Sequence, residues 1–252
     1  MISSALRAVE RLLLPNACVA CGRAVESATP DALACAVCRS RLTPVPPGCA
    51  RCRQPVPPVG PCRFCLGWPE VLKWATSAVW LGDEAREIVH HLKYEGYARL
   101  AVVAAEVIDR IVPRAHDALL VPIPLGARRM RDRGYNQAAA IAQTLGERWS
   151  CQVDENLLRR VRNTESQTAL TPEERAANVA GAFEATRRPT PQRVAPSPSG
   201  TPTVILIDDV FTTGATLASA AKALQDAGWV EVGAVTFARA MPFALRLDAR
   251  RG

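Results

Sequence analysis

A chain of 252 residues with a 48% hydrophobic share is long enough to bury a sizeable core, more than one small domain requires. Its apolar runs fall far short of the roughly 18 to 20 residues that a membrane helix needs, which excludes a spanning segment from expectation. The formal charge of +7 is uneven: nine Lys and Arg stand against four Asp and Glu in residues 1–75, and 22 against 20 afterwards, which suits either a polyanion-binding face or cations beside negatively charged metal-thiolate centres.

In residues 1–15 a short Leu12-Leu13-Leu14 run is interrupted upstream by Arg7, Glu10 and Arg11, too brief a stretch for a secretory h-region. The expectation is a short N-terminal helix on a cytoplasmic protein. Eight of the nine cysteines follow in four CxxC pairs: Cys18 and Cys21, Cys35 and Cys38, Cys49 and Cys52, Cys62 and Cys65. A CxxC turn lets two thiolates converge on one tetrahedral ion, and two such turns close a structural zinc site. A disulfide framework also tolerates an even cysteine number, but it needs an oxidising compartment. Pro44, Pro46, Pro47, Pro55, Pro57, Pro58 and Pro61 forbid continuous helix or central strand here, so bound metal would supply most of the folding free energy. Pairing neighbours encloses the shorter loops, and two zinc ions are expected, one on the first two pairs and one on the last two. Cys151, far from the rest, reads as a buried or half-buried thiol without a chemical role.

Beyond Trp74 strand and helix signals alternate. Asp83 can cap a helix whose Ile88, Val89 and Leu92 share a face, ending near Gly96. A second apolar helix is expected over Leu100 to Val112, a short buried strand over Ala118 to Ile123, and a helix over Tyr135 to Arg148. Thr171-Pro172-Glu173-Glu174 is a helix-start signature. The five prolines and small polar residues of Arg187 to Pro202 predict a mobile surface loop. Thr203 to Ile207 and Val230 to Phe237 read as strands flanking a helix from Ala215 to Ala227, closed by Gly228. Strands separated by helices imply a parallel α/β sheet.

The densest chemistry lies in Val204 to Thr216, VILIDDVFTTGAT. A buried strand would deliver Asp208 and Asp209 to the carboxyl end of the sheet, where ligands of open α/β folds bind. Thr212, Thr213, Gly214, Ala215 and Thr216 offer three hydroxyls, a glycine that lets backbone approach an anion, and free amides opening a helix. Two carboxylates next to a phosphate repel it unless the same ligand brings hydroxyls or a cation to them. A ribose 5-phosphate does both. A plain strand-turn-helix and a cation-only acid pair are the bland alternatives, and neither GxxxxGK[ST] nor a strand-linked GxGxxG occurs.

This thirteen-residue string resembles the signature of the type I phosphoribosyltransferases. The four CxxC pairs, His91-Leu92-Lys93-Tyr94, Val121-Pro122-Ile123-Pro124, Arg131-Asp132-Arg133-Gly134-Tyr135-Asn136-Gln137, Arg175 with Asn178, and Phe237-Ala238-Arg239 narrow the resemblance to the ComF family of competence and amidophosphoribosyltransferase-like proteins. The resemblance implies a doubly wound parallel sheet of the type I phosphoribosyltransferase kind over residues 76–252, beside a small Cys-rich zinc module at 1–75. It implies an enzyme that binds 5-phosphoribosyl 1-diphosphate and magnesium and passes the phosphoribosyl group to an unnamed acceptor. Asp208 and Asp209 would orient the ribose, and Arg128, Arg129 and Arg175 would neutralise the departing diphosphate. Two further readings stay open: a sensor that binds such a ligand without turnover, and a competence factor whose basic zinc module touches single-stranded DNA or other uptake proteins.

Overall fold

A computed structural model describes residues 17–25, 33–55, 62, 64–115, 117–162, 174, 178–186 and 203–241. The expected N-terminal helix, the Thr171-to-Glu173 helix start, Arg175 and the proline-rich loop after Arg187 lie outside them. Five strands form one parallel sheet in the order β1 (Leu72–Trp80), β7 (Val232–Arg239), β6 (Thr203–Phe211), β2 (Ala118–Pro122), β3 (Gln152–Val153). A separate antiparallel hairpin pairs β4 (Leu158–Arg160) with β5 (Phe183–Ala185). Because β1 begins at Leu72, the sheet takes in the end of the segment assigned to the Cys-rich module.

Side chains of the central strands alternate between two cores, as a sheet covered on both faces requires. Leu120, Ile205, Ile207, Val235 and Phe237 pack with helices α2 (Asp83–Tyr94), α3 (Leu100–Ile111) and α5 (Gln137–Trp149). Leu119, Val121, Val204, Leu206, Val232 and Ala234 face the other way, against α6 (Ala215–Asp226), the hairpin and the second cysteine group. Each such aliphatic side chain contributes roughly 1.5 to 3 kcal/mol on burial. Ile88, Val89 and Leu92 do form the buried face of α2, although the cap is Gly82 and Asp83 sits inside the first turn.

The cysteines form two groups in chain order: Cys18, Cys21, Cys35 and Cys38, then Cys49, Cys52, Cys62 and Cys65. A short helix, α1 (Ala36–Ser40), starts inside the first group, where Cys35 Sγ accepts the Cys38 amide. Sulfur separations of 3.9 Å for Cys21–Cys35, 3.7 Å for Cys49–Cys65 and 3.6 Å for Cys52–Cys62 match the edges of about 3.8 Å in a zinc tetrathiolate with bonds near 2.3 Å. They are far too long for disulfides, at about 2.05 Å. Burial pushes the Cys38 and Cys52 thiols well up from their ordinary range, so four thiolates need a cation between them. Both groups therefore fit structural zinc. The two modules straddle the edge strand β1, the first packing into the helix-rich core and the second into the opposite one.

Between them, residues 43–51 run along the free edge of β1. The Val45 amide donates to Ala78, Trp80 donates to Thr43, Ala75 donates to Arg51, and Pro44 bridges Val79 antiparallel. Two N-terminal arginines are held by the fold, Arg39 by Glu106 and Arg51 by four backbone carbonyls, while Arg41 stays exposed beside Glu84. Among the described residues no helix is long and apolar enough to cross a membrane.

Metal analysis of the reduced, purified protein is expected to give close to two zinc ions per chain, and Cys52→Ser to lower that value by one. Fewer than one ion in the parent protein would remove the metal reading of both groups.

Candidate functional site

The chain leaves β2 toward β3 on one side and leaves β6 toward β7 on the other, although β2 and β6 are neighbours. Such a reversal opens a crevice at the carboxyl ends of the two strands. A cavity of about 240 Å³ lies there, lined by Ile123, Pro124 and Leu125 after β2, by Asp208, Asp209, Val210, Thr212 and Thr216 around the end of β6, and by side chains from surrounding elements.

β6 runs through the acid pair to Phe211, further than its apolar run alone predicts. Asp209 is 3% exposed. Lys93, in the last turn of α2, places Nζ 3.0 Å from Asp209 Oδ2, yet that oxygen accepts no hydrogen bond. It is paired with the ammonium by charge. The Asp209 amide donates to Asp208 Oδ1 at 2.9 Å. Burial, and then the charge of Asp209, push the Asp208 carboxyl up to about 7, against the opposing pull of Lys93 and Arg160.

Gly214, at φ 79°, caps α6 in the left-handed region that a side chain resists. Thr212 and Thr216, which flank this turn, line the cavity, and the first amides of a helix have no partner within it. Thr213 Oγ1 accepts the Ala215 amide at 3.4 Å, an interaction within the turn.

The Arg131-to-Gln137 string has a local physical account. Arg128, Arg129, Arg131 and Arg133 sit on α4 (Ala127–Arg133), a helix that ends at Gly134 in the left-handed conformation. Tyr135 Oη donates to the Leu92 carbonyl and so ties α2 to this turn. Asn136 caps α5 by accepting the Ala138 amide and donates to Ile123 O, both at 3.0 Å. Gln137, next along, is buried and lines the cavity.

Of the residues singled out from sequence, Asp208, Asp209, Thr212, Thr216 and Arg129 line the cavity. Thr213, Gly214 and Ala215 form the turn behind it. The Arg128 side chain is 84% exposed and lies 3.8 Å from Asp132, outside the cavity. Four charged or aromatic lining residues had no assigned role or only a packing one: Lys93, Tyr94, Arg133 and Arg160. Arg133 and Tyr94 meet as cation and ring at 5.6 Å. Arg160 arrives from the hairpin, its guanidinium 5.2 Å over the Phe183 ring, and no periodicity or motif in its short strand marks it.

These features define a class: a parallel α/β protein stapled by two four-cysteine centres, with a cation-walled, doubly acidic cleft where its strand order reverses. No family model matches the chain. It is 32% identical over 145 residues to Competence protein F of Haemophilus influenzae, covering 57% of this chain and 59% of that protein. It is 30% identical over 171 residues to DNA utilization protein YhgH of Salmonella typhimurium, covering 65% and 71%. With Competence protein ComFC of Bacillus subtilis the identity is 30% over 217 residues, covering 82% and 83%. The chain belongs to the ComF/YhgH/ComFC family of competence and DNA-utilization proteins. The crystal structure of TT1426 from Thermus thermophilus overlays loosely, with a TM-score of 0.31 and 17% identity over 61% of this chain and 79% of that one.

The raised Asp208 pKa fixes the sign of a pH effect. An unfolded aspartate titrates near 3.9, so between about pH 4 and 7 the folded chain keeps a proton that the unfolded chain has lost, and stability falls as pH rises. Asp208→Asn is expected to gain in melting temperature relative to the parent between pH 5 and pH 8, with the zinc thiols contributing equally to both. Lys93→Met should cost about 3 kcal/mol at pH 8, where Asp208 is ionised and its charge loses the opposing cation, and less at pH 5, where Asp208 keeps its proton. Urea titrations showing equal loss at both pH values would contradict the pairing.

Proposed function

We propose that the protein binds 5-phosphoribosyl 1-diphosphate in this cleft and transfers its phosphoribosyl group, on a sheet of the type I phosphoribosyltransferase kind. The single observation that carries the reading is the meeting, in one cavity, of an acid pair, a threonine-bearing helix N-terminus and a wall of cationic side chains. Each end suits a different part of one ligand. The α6 amides with Thr212 and Thr216 suit a 5-phosphate, Asp208 and Asp209 suit ribose hydroxyls, and Arg129, Arg133 and Arg160 suit the diphosphate.

As the bond from ribose C1 to diphosphate breaks, positive charge grows on the ring and negative charge on the leaving group. The protein's task in such a step is electrostatic and preorganised. The carboxylates lie on the ribose side, where they stabilise the cation, and the arginines take up the charge that departs. Lys93, 3.0 Å from the buried Asp209 carboxylate, supplies the opposite charge on that side of the acid pair. Arg175 belongs to this reading as a further diphosphate ligand, though it lies outside the described residues.

The donor set fits magnesium carried in by the diphosphate better than magnesium caged by protein, because among the described residues two acids line the cavity and Lys93 already pairs with one. Bound there, magnesium would offset leaving-group charge, with Asp208 as its nearest protein ligand. The relatives' names tie them to competence and DNA utilization, and we place this chain in the same setting, in the cytoplasm. The N-terminal charge excess is not by itself an argument for a DNA-binding face, since Arg39 pairs with Glu106 and Arg51 is held by backbone carbonyls.

Calorimetry with 5-phosphoribosyl 1-diphosphate and magnesium is expected to show binding that Asp208→Asn with Asp209→Asn weakens at least tenfold, about 1.4 kcal/mol, while zinc content stays intact. Unchanged affinity would sink the site. Diphosphate release scored with bases, amines and ammonia then separates a transferase from a sensor and identifies the acceptor class.

A further inference from the structure

The second cysteine centre is built against the back of the threonine turn. Trp68, three residues beyond Cys65 and 8% exposed, lies so close to Gly214 that a Cβ there would sit 2.7 Å from Trp68 Cζ2 and 3.1 Å from Phe211 Cζ. The Trp68 and Phe211 rings meet at 6.0 Å between centroids, tilted by 56°. Both ends of the turn, Phe211 before it and Gly214 after it, therefore rest on one indole.

The indole is in turn held by the centre. Arg51, between Cys49 and Cys52, donates to Cys65 O at 3.0 Å, Pro69 O at 2.8 Å and Leu72 O at 3.0 Å, and its guanidinium lies 5.7 Å from the Trp68 ring centroid. A second connection runs through Arg239, fully buried at the end of β7. Its guanidinium lies 4.0 Å from the centroid of the Phe211 ring and donates to Cys52 O at 2.5 Å and Gln54 Oε1 at 2.7 Å. Among the described residues the first centre has no such route: the ion pairs around it reach Glu106 and Glu84, and neither lines the cavity.

The geometry points to Trp68 as a positioning residue for the phosphate end of the cleft, held at its height by the second four-cysteine centre and not by the first. Metal occupancy at that centre and ligand affinity are then coupled. By linkage the coupling is reciprocal: a ligand seated on the turn tightens the grip on one zinc ion by the factor by which that ion tightens the ligand. The inference rests on the proposed sugar-phosphate site and assigns the zinc module a role in it.

The test uses the full-length, zinc-loaded protein with ribose 5-phosphate as probe. In the parent, release of zinc to a chromogenic chelator is expected in two phases, with ribose 5-phosphate slowing one of them alone. Trp68→Ala should keep both ions, bind ribose 5-phosphate on the order of tenfold more weakly, and lose the ligand's protection of zinc. Trp68→Phe, which keeps a ring against Gly214, should restore most of both. If the parent binds ribose 5-phosphate but the ligand protects neither ion, or both equally, the coupling is wrong. It is equally wrong if Trp68→Ala binds as the parent does. If the parent does not bind at all, the sugar-phosphate site itself fails, an outcome recognisable before any variant is made.

Discussion

The candidate site in this molecule follows from a constraint of topology. Two neighbouring parallel strands, β2 and β6, send the chain in opposite directions, so their carboxyl ends cannot both be roofed by the same crossover. The crevice left between them is where β6 delivers two adjacent carboxylates. Alternation along a strand turns successive side chains to opposite faces, yet Asp208 and Asp209 both reach the cleft because it sits at the strand's end and draws walls from α2, α4 and the hairpin. Bringing two acids together in a poorly solvated place raises the pKa of one and calls for a cation beside the other. Lys93 answers that demand from a helix more than a hundred residues earlier in the chain.

The elements that were legible in the sequence are those with a long period or a strong punctuator. The helices ending before Gly96 and beginning near Ala215 declared themselves through their apolar faces and their glycines, and the pairing of cysteines followed from loop length. What was not legible has identifiable causes. β1, with the sequence LKWATSAVW, follows directly on a proline-rich region and carries polar residues inside a buried strand. Ser77 is tolerated there because its hydroxyl meets that of Thr236 at 2.6 Å on β7. The hairpin strands are too short for periodicity, and so Arg160 could not be placed at the cleft. Lys93 and Tyr94 lie on an amphipathic helix whose packing explains them well enough alone, and only the fold brings that helix end to the acids. Arg128 and Arg129 look equivalent in sequence, but successive helical positions point about a third of a turn apart, which puts one in the cavity and the other in solvent.

The Cys-rich module is more than an appendage to the sheet. Its two centres lie on opposite faces of β1, so the edge strand is gripped from above and below. The buried Arg239 is the clearest sign of how closely the parts were fitted together. A guanidinium with no exposed surface is costly unless its donors are met: Nη1 and Nη2 donate to the Cys52 carbonyl and to Gln54, the plane rests on an aromatic face, and Nε alone of its nitrogens has no hydrogen-bond partner. Replacing the module with an unrelated one would leave that charge stranded in the core.

Residues 43–51, laid along β1, answer a hazard common to open sheets. An uncovered strand offers a row of unmatched amides and carbonyls on which another chain can add itself. Here the shield is a ribbon with little core of its own, strung between two thiol-bound centres, so the safety of the sheet's flank is delegated to sulfur chemistry. Oxidant or metal starvation that opened those centres would bare a nine-residue template, and the first sign of damage in such a cell would be self-association of this protein rather than the melting of its core.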